Sequence, residues 1–180
     1  MEPIAAATNR ALEWRQVSSC PRAFELTSDA GVCGSLKWEA GRGSLAVART
    51  ADGLWSIKRV GFLRPRITVR PLHAQAEIAV YAPGLTGGVL HHADGRHFPF
   101  ARKGLWAPYW AFRRHDGPPF VKFRAAGTSD SLGAAVEIEK LTVSHDVVPL
   151  LVVTGWYLIV LAHDDEEMAL LTTVTTAAGS

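Results

Sequence analysis

Residues 147–162 constrain the fold more than any other part of this chain. Their sequence, Val-Val-Pro-Leu-Leu-Val-Val-Thr-Gly-Trp-Tyr-Leu-Ile-Val-Leu-Ala, contains no charged side chain. It is bounded by Asp146 before and by His163-Asp164-Asp165-Glu166-Glu167 after. A helix apolar all round has to be buried in protein or in lipid. A membrane span usually needs roughly 18 or more such residues, and no Lys or Arg flanks this run to anchor it at an interface. A buried hairpin turning at Thr154-Gly155 is the third arrangement, because Val, Ile, Trp and Tyr favour strands. Periodicity alone does not separate helix from strands in an unbroken apolar run. Length favours a buried helix of about four turns over the hairpin and the span. Asp146 is expected to serve as its N-cap, with Pro149 tolerated in the first turn.

The rest of the chain has a different rhythm. Short β-like segments at 24–27, 34–39, 44–49, 54–62, 66–70, 76–81, 88–92, 97–101, 109–114, 120–124 and 133–141 alternate with Gly, Pro and Asp turns. The Asp-Gly pairs at 52–53, 94–95 and 116–117 are hairpin signals, since such turns need positive φ. In Arg66-Ile67-Thr68-Val69-Arg70 the two apolar residues point one way and the polar residues the other. This alternation predicts an antiparallel sheet with one face buried and one wet. Residues 1–21 read as a flexible lead-in with a helical turn near 11–16. Residues 22–168 read as the folded domain with its helix at about 146–163, and 169–180 as a flexible tail.

The length of 180 residues, with 48% hydrophobic and 20% charged positions, fits one ordinary globular domain. A net charge of +2 gives no support to a nucleic-acid partner. Cys20 and Cys33 form no C-x-x-C pair, and the N-terminus lacks a basic start followed by a long apolar run. Free thiols in a reducing cytoplasm are therefore expected, with contact at the inner membrane face peripheral at most.

About a dozen short strands followed by one wholly apolar helix is an unusual order. A closed β-barrel supplies walls around such a helix and removes exposed sheet edges. Four stretches carry a resemblance to the tubby C-terminal-like superfamily, which includes tubby, the phospholipid scramblases and the LURP-one-related proteins. They are Trp55-Ser56-Ile57-Lys58-Arg59, Glu77-Ile78-Ala79-Val80-Tyr81, Asp94-Gly95-Arg96, and 150–162 with its acidic end. The likeness spans about 24–167, with the texture of the small bacterial members. It implies a mainly β fold, a closed antiparallel barrel of about twelve strands around one buried C-terminal helix. With the basic residues described next, it suggests a non-enzymatic binding or adaptor domain. No tubby-type phosphoinositide motif, scramblase-type calcium site or cysteine cluster can be placed on this sequence.

Lys58, Arg59, Arg64, Arg66 and Arg70 fall close together with no acidic residue among them. They are the expected ligands for anionic phospholipid headgroups, each cation contributing ~1 kcal/mol near such a surface. The plainer reading is a solvated outer face balanced by Glu137, Glu139 and the acidic tail. A protein partner at the membrane surface is the other expected occupant, and a membrane anchor formed by 147–162 is an alternative. A small metal-dependent enzyme is another alternative, resting on His91-His92-Ala93-Asp94-Gly95-Arg96-His97. A two-residue loop at Asp94-Gly95 would pair His92 with His97 on one face, close enough to share a metal. A three-residue loop shifts the register and removes that pair. No Gly-x-Ser-x-Gly elbow is present, and Gly84-Leu85-Thr86-Gly87-Gly88 lies between strands rather than before a helix. No catalytic residue, cofactor or metal is expected. Of the aromatics Trp106, Tyr109, Trp110 and Phe112, a core or strand-face role is expected rather than a stacking platform.

Overall fold

A computed structural model describes residues 1–7, 10–113, 117–127, 131–139 and 146–178. Twelve antiparallel strands form one closed barrel, each paired with its neighbour in sequence, and the first strand closes against the last. They are β1 (Leu12–Ser19), β2 (Arg22–Ser28), β3 (Gly31–Trp38), β4 (Ala46–Thr50), β5 (Leu54–Val60) and β6 (Arg66–Pro71). The second half is β7 (Ala79–Gly84), β8 (Gly87–His92), β9 (His97–Lys103), β10 (Tyr109–Arg113), β11 (Pro119–Ala126) and β12 (Gly133–Ile138). One helix, α1 (Val148–Ala178), threads the barrel. Asp116 of the third Asp-Gly pair, and the expected strand ends at 114 and 140–141, lie outside the described residues.

The barrel resolves the problem posed by the apolar run. Residues 147–161 are buried throughout, and Leu151, Val152, Val153, Trp156, Tyr157 and Val160 are fully enclosed. A strand of five to eight residues is about 17–26 Å long at roughly 3.3 Å per residue. The helical part of the buried run, 148–161, is about 21 Å long at 1.5 Å per residue. The apolar run thus matches the height of its container. Trp156 stacks on Trp14 at 5.9 Å and meets Phe24 edge-on at 5.3 Å, while Tyr157 stacks on Trp38 at 5.4 Å. The Tyr157 hydroxyl donates to the Ser44 carbonyl at 2.6 Å, so its polar atom is satisfied inside the wall.

The helix lies nearest β10, β11 and β3. Gly155 permits this approach: a Cβ there would stand 2.6 Å from Cζ of Phe123 and 3.0 Å from Cε2 of Phe112. Thr154-Gly155 is therefore a helical site of close packing rather than a hairpin tip.

Three boundaries differ from the sequence reading. The segment 1–21 is not a lead-in: Leu12–Ser19 is the strand that closes the barrel, with Leu12 and Trp14 inward and Glu13 and Arg15 outward. Ile4, in a short 3-10 turn over Ile4–Ala7, is fully buried, and Glu2 N–H donates to the Val32 carbonyl. The helix does not stop at 163 but continues to Ala178, because Asp and Glu end the burial without ending the backbone geometry. Finally, Asp146 is not the N-cap. The first helical turn closes from Leu151 N–H to the Val147 carbonyl, and the Asp146 carboxylate instead accepts from Arg96 at 2.7 Å.

Candidate functional site

Because the strands simply alternate in direction, the barrel has two distinct ends. The helix enters at the end of the β8–β9 hairpin, where Arg96 bridges Asp94 and Asp146, both at 2.7 Å. Arg96 draws both carboxyls below the usual carboxylate range. Asp94 falls to about 2, chiefly through the Arg96 backbone N–H it accepts, and Asp146 is lowered by the Arg96 guanidinium. The N-terminal turn with Ile4 sits at this same end.

At the opposite end the helix leaves the barrel through a collar of arginines. Arg22 of β2 meets Asp164 at 2.6 Å, Arg59 of β5 meets Asp165 at 2.8 Å, and Arg102 of β9 stands 3.6 Å from Glu166. The acidic cluster after the apolar run is thus the helix's share of three ion pairs with three separate strands. The hydrogen bond to Asp165 raises the Arg59 guanidinium pKa further.

The exit end also carries the most exposed large apolar side chains among the described residues. Phe62 is 96% exposed, Leu63 89%, Leu105 90% and Trp106 95%, and Leu85 is fully exposed. They lie on the β5–β6, β7–β8 and β9–β10 turns, which are successive neighbours around one rim. Met168, Leu170 and Leu171 on the emerging helix are exposed beyond the same opening. Two of the turns are copies of one device. Gly61-Phe62-Leu63-Arg64-Pro65 and Gly104-Leu105-Trp106-Ala107-Pro108 share a Gly-x-x-x-Pro frame with an apolar pair at the tip. Gly61 has φ 85° and Gly104 φ 84°, and in each a Cβ would run into the carbonyl oxygen three residues on, at 2.8 and 2.5 Å. Turns ordinarily carry polar residues; these two hold apolar pairs in water in a fixed conformation. Trp106 therefore departs from the expected core role, while Phe112 is fully buried, Trp110 stacks on Phe100 at 5.4 Å, and Lys122 lies over the Tyr109 ring.

The five expected headgroup ligands do not form one patch. Lys58, Arg66 and Arg70 face outward on β5 and β6, with Glu77 2.8 Å from Arg70 and 3.9 Å from Arg66. Arg59 shares the inward parity of Trp55 and Ile57 and is held by Asp165. Arg64 sits in the turn beside Leu63. Among the described residues Lys37, Arg42, Arg49, Lys58, Arg64, Lys103 and Arg113 have no carboxylate partner, and of these Lys58, Arg64 and Lys103 lie on or beside the apolar rim. On the far wall, Lys122 and Arg124 are balanced by Glu137.

Between the helix and the β6–β10 wall, just inside this rim, is a cleft of about 530 Å³. Its walls include Ile67, Tyr81, Phe100, Trp110, Leu158 and Leu161, with Arg59 and Arg102 at its opening. The Tyr81 hydroxyl has no hydrogen-bond partner among the described residues, although the residue is only 6% exposed. Burial pushes its pKa up to about 12, so it remains a neutral donor.

The His92–His97 pair does not form. Gly95 takes a positive φ of 91° and the loop holds three residues, so His91 pairs with His97 across the strands, their Nδ1 atoms 3.0 Å apart. His92 is turned to Asp94 at 2.8 Å. The one grouping of three possible metal ligands among the described residues is His163, Asp164 and Glu167, and its Asp164 is already paired with Arg22. Cys33 is buried and Cys20 is exposed in the β1–β2 turn, both as free thiols.

Comparison with known protein families, characterised proteins and solved structures gives no match to this chain.

The Tyr81 hydroxyl and the apolar tips at Phe62, Leu63, Leu85 and Leu105 escape a reading based on charge clusters and motifs, whereas Arg102 with Lys103 reads from the sequence as further cation. The repeated Gly-x-x-x-Pro frame around paired large apolar residues is the signal that would have found the tips.

Proposed function

We propose that this protein is a non-enzymatic module that docks peripherally on an anionic membrane surface through the rim from which its helix emerges. The observation that carries the reading is the pair of equivalent glycine-framed turns presenting Phe62-Leu63 and Leu105-Trp106 to solvent beside unpaired cations. Exposed apolar clusters of this kind mark interaction surfaces, and Trp and Phe beside Lys and Arg suit the headgroup boundary of a bilayer. Free thiols and an anionic leaflet both favour the cytoplasmic side. Membership of the tubby-like superfamily is part of this proposal, supported by the closed twelve-stranded barrel around an apolar helix.

Magnitudes decide which lipids it prefers. Taking Phe62, Leu63, Leu85, Leu105 and Trp106 out of water yields at most ~1.5–3 kcal/mol each, while association costs ~4–15 kcal/mol. The apolar tips alone leave a marginal balance. Lys58, Arg64, Arg66 and Lys103, at ~1 kcal/mol apiece against an anionic leaflet, tip it. Arg59 belongs to the helix collar in this scheme rather than to the headgroup site.

The test is co-sedimentation with vesicles of phosphatidylcholine, alone or mixed with phosphatidylserine, across a salt series. Binding is expected only to the anionic vesicles and is lost as salt rises. Replacing Phe62 and Leu63, or Leu105 and Trp106, by serine lowers partitioning at least tenfold without changing the melting temperature. Wild-type protein that binds neither vesicle sinks the membrane reading and gives the apolar rim to a protein partner.

A further inference from the structure

We infer that the cleft inside the rim holds one acyl chain of an anionic amphiphile, its chain between helix and wall and its head at Arg102. The inference rests on the membrane-surface reading for the source of the chain. The volume of about 530 Å³ lies within the roughly 300–1,000 Å³ of small-molecule sites. Phe100, Trp110, Leu158 and Leu161 give it apolar walls. Gly155 lets the helix pack closely on Phe123 of β11 and Phe112 of β10, and the cleft lies beside the helix toward Ile67 and Tyr81.

Two features point to an occupant with a polar end. Tyr81 is largely buried on the cleft wall, and its hydroxyl, which opens onto the cleft rather than being enclosed, has no partner among the described residues and can donate to an oxygen of the ligand. At the opening the two arginines differ. Arg59 makes two close contacts with Asp165, at 2.8 and 3.0 Å, and is committed to the helix. Arg102 stands 3.6 Å from Glu166, with both side chains more than half exposed, so it exchanges a loose surface pair for a carboxylate or phosphate at little cost. A rigid polar ligand would leave the aromatic walls uncovered. A flexible chain covers them and extends from the rim that carries Leu85.

The experiment titrates the full chain with a mid-chain-brominated palmitic acid, below its micelle concentration, and follows tryptophan quenching. Saturable quenching near one equivalent is expected, with most of its amplitude lost in Trp110→Phe. Ala162→Phe, which fills the cleft from the half-buried helix position at its mouth, weakens binding at least tenfold. Arg102→Gln, on the exposed rim and independent of core packing, weakens the acid severalfold but leaves its methyl ester unchanged. Absence of saturable quenching in the wild type overturns the inference, as does an unchanged affinity in both variants. Vesicles of brominated phospholipid then separate the sources. Quenching that Ala162→Phe abolishes assigns the chain to a membrane lipid, and quenching by the monomeric acid alone assigns it to a free fatty acid. Anionic vesicle binding without chain binding refutes the cleft and spares the docking surface; chain binding without vesicle binding does the reverse.

Discussion

Gly155→Ala tests the packing on which the fold depends. By helix propensity alone the change should stabilise, since Gly costs ~0.8–1.0 kcal/mol more than Ala within a helix. The structure predicts the opposite sign. The new methyl would lie 2.6 and 2.7 Å from two carbons of the Phe123 ring and 3.0 Å from Phe112, against an optimum of about 3.5–4.0 Å. Something must move by close to 1 Å. Both rings are fully buried, and Phe112 is itself 4.5 Å from Phe100, which is stacked on Trp110. Overpacking of this kind costs ~1–3 kcal/mol. The net expectation is a loss of up to about 2 kcal/mol, or up to roughly 4–8 °C in melting temperature for a chain of this size. Urea denaturation with an unchanged m-value is the assay. In a Phe123→Leu background the same substitution should turn neutral or stabilising, a coupling of at least ~0.5 kcal/mol. Gly155→Ala that stabilises the wild type by ~1 kcal/mol would show that propensity outweighs contact here. It would refute the tight seam.

Two further outcomes follow from the two ends of the barrel. Deleting residues 146–180 removes the buried run 147–161 that fills the middle of the barrel, so the remaining strands should fail to fold as judged by near-ultraviolet circular dichroism; a folded, monomeric remnant would contradict the buried helix. Asp94, at about 2, and Asp146 are both depressed in the folded state, so their contribution is fully present above the unfolded carboxyl range near 4 and disappears as pH falls toward 2. Arg96→Gln should remove the Asp146 part of this acid-range dependence and leave most of the Asp94 part, which rests on the backbone N–H of residue 96; an identical stability-against-pH curve would discount the Arg96–Asp146 bridge.

Much of the architecture was legible because it follows from period and turn chemistry. Ile67 and Val69 face the core as their alternation requires, and the Asp-Gly pairs at 52–53 and 94–95 stand in hairpin loops. Parity also places Arg59 with Trp55 and Ile57, so its inward position could have been read from the strand itself. Other features were not legible, each for a stated reason. Leu12-Glu13-Trp14-Arg15 alternates, but four residues beside an unpatterned N-terminus do not distinguish a strand from a helical turn. The histidine register depended on one residue of loop length, which the His92 N–H bond to the Arg96 carbonyl sets at three, with Gly95 but not Asp94 at positive φ. The cleft lies between a helix and strands distant in sequence, a tertiary property with no local signature.

The barrel's polarity links these observations. At the entry end, Arg96 with its two carboxylates and the buried Ile4 tie the chain down. At the exit end, Arg22, Arg59 and Arg102 hold the departing helix by its acids, and the turns between strands project apolar pairs. The fold does not require those pairs. Polar tips would satisfy the same Gly-x-x-x-Pro frame, because the positive φ of Gly61 and Gly104 and the close carbonyls of Arg64 and Ala107 set the turn whatever occupies its tip. Four large apolar residues held nine-tenths exposed in two equivalent turns therefore need a cause outside folding stability. The membrane docking proposed above, an apolar phase met by this one end with cations beside it, would account for the identity of the tips and for their place on the rim at which the cleft opens.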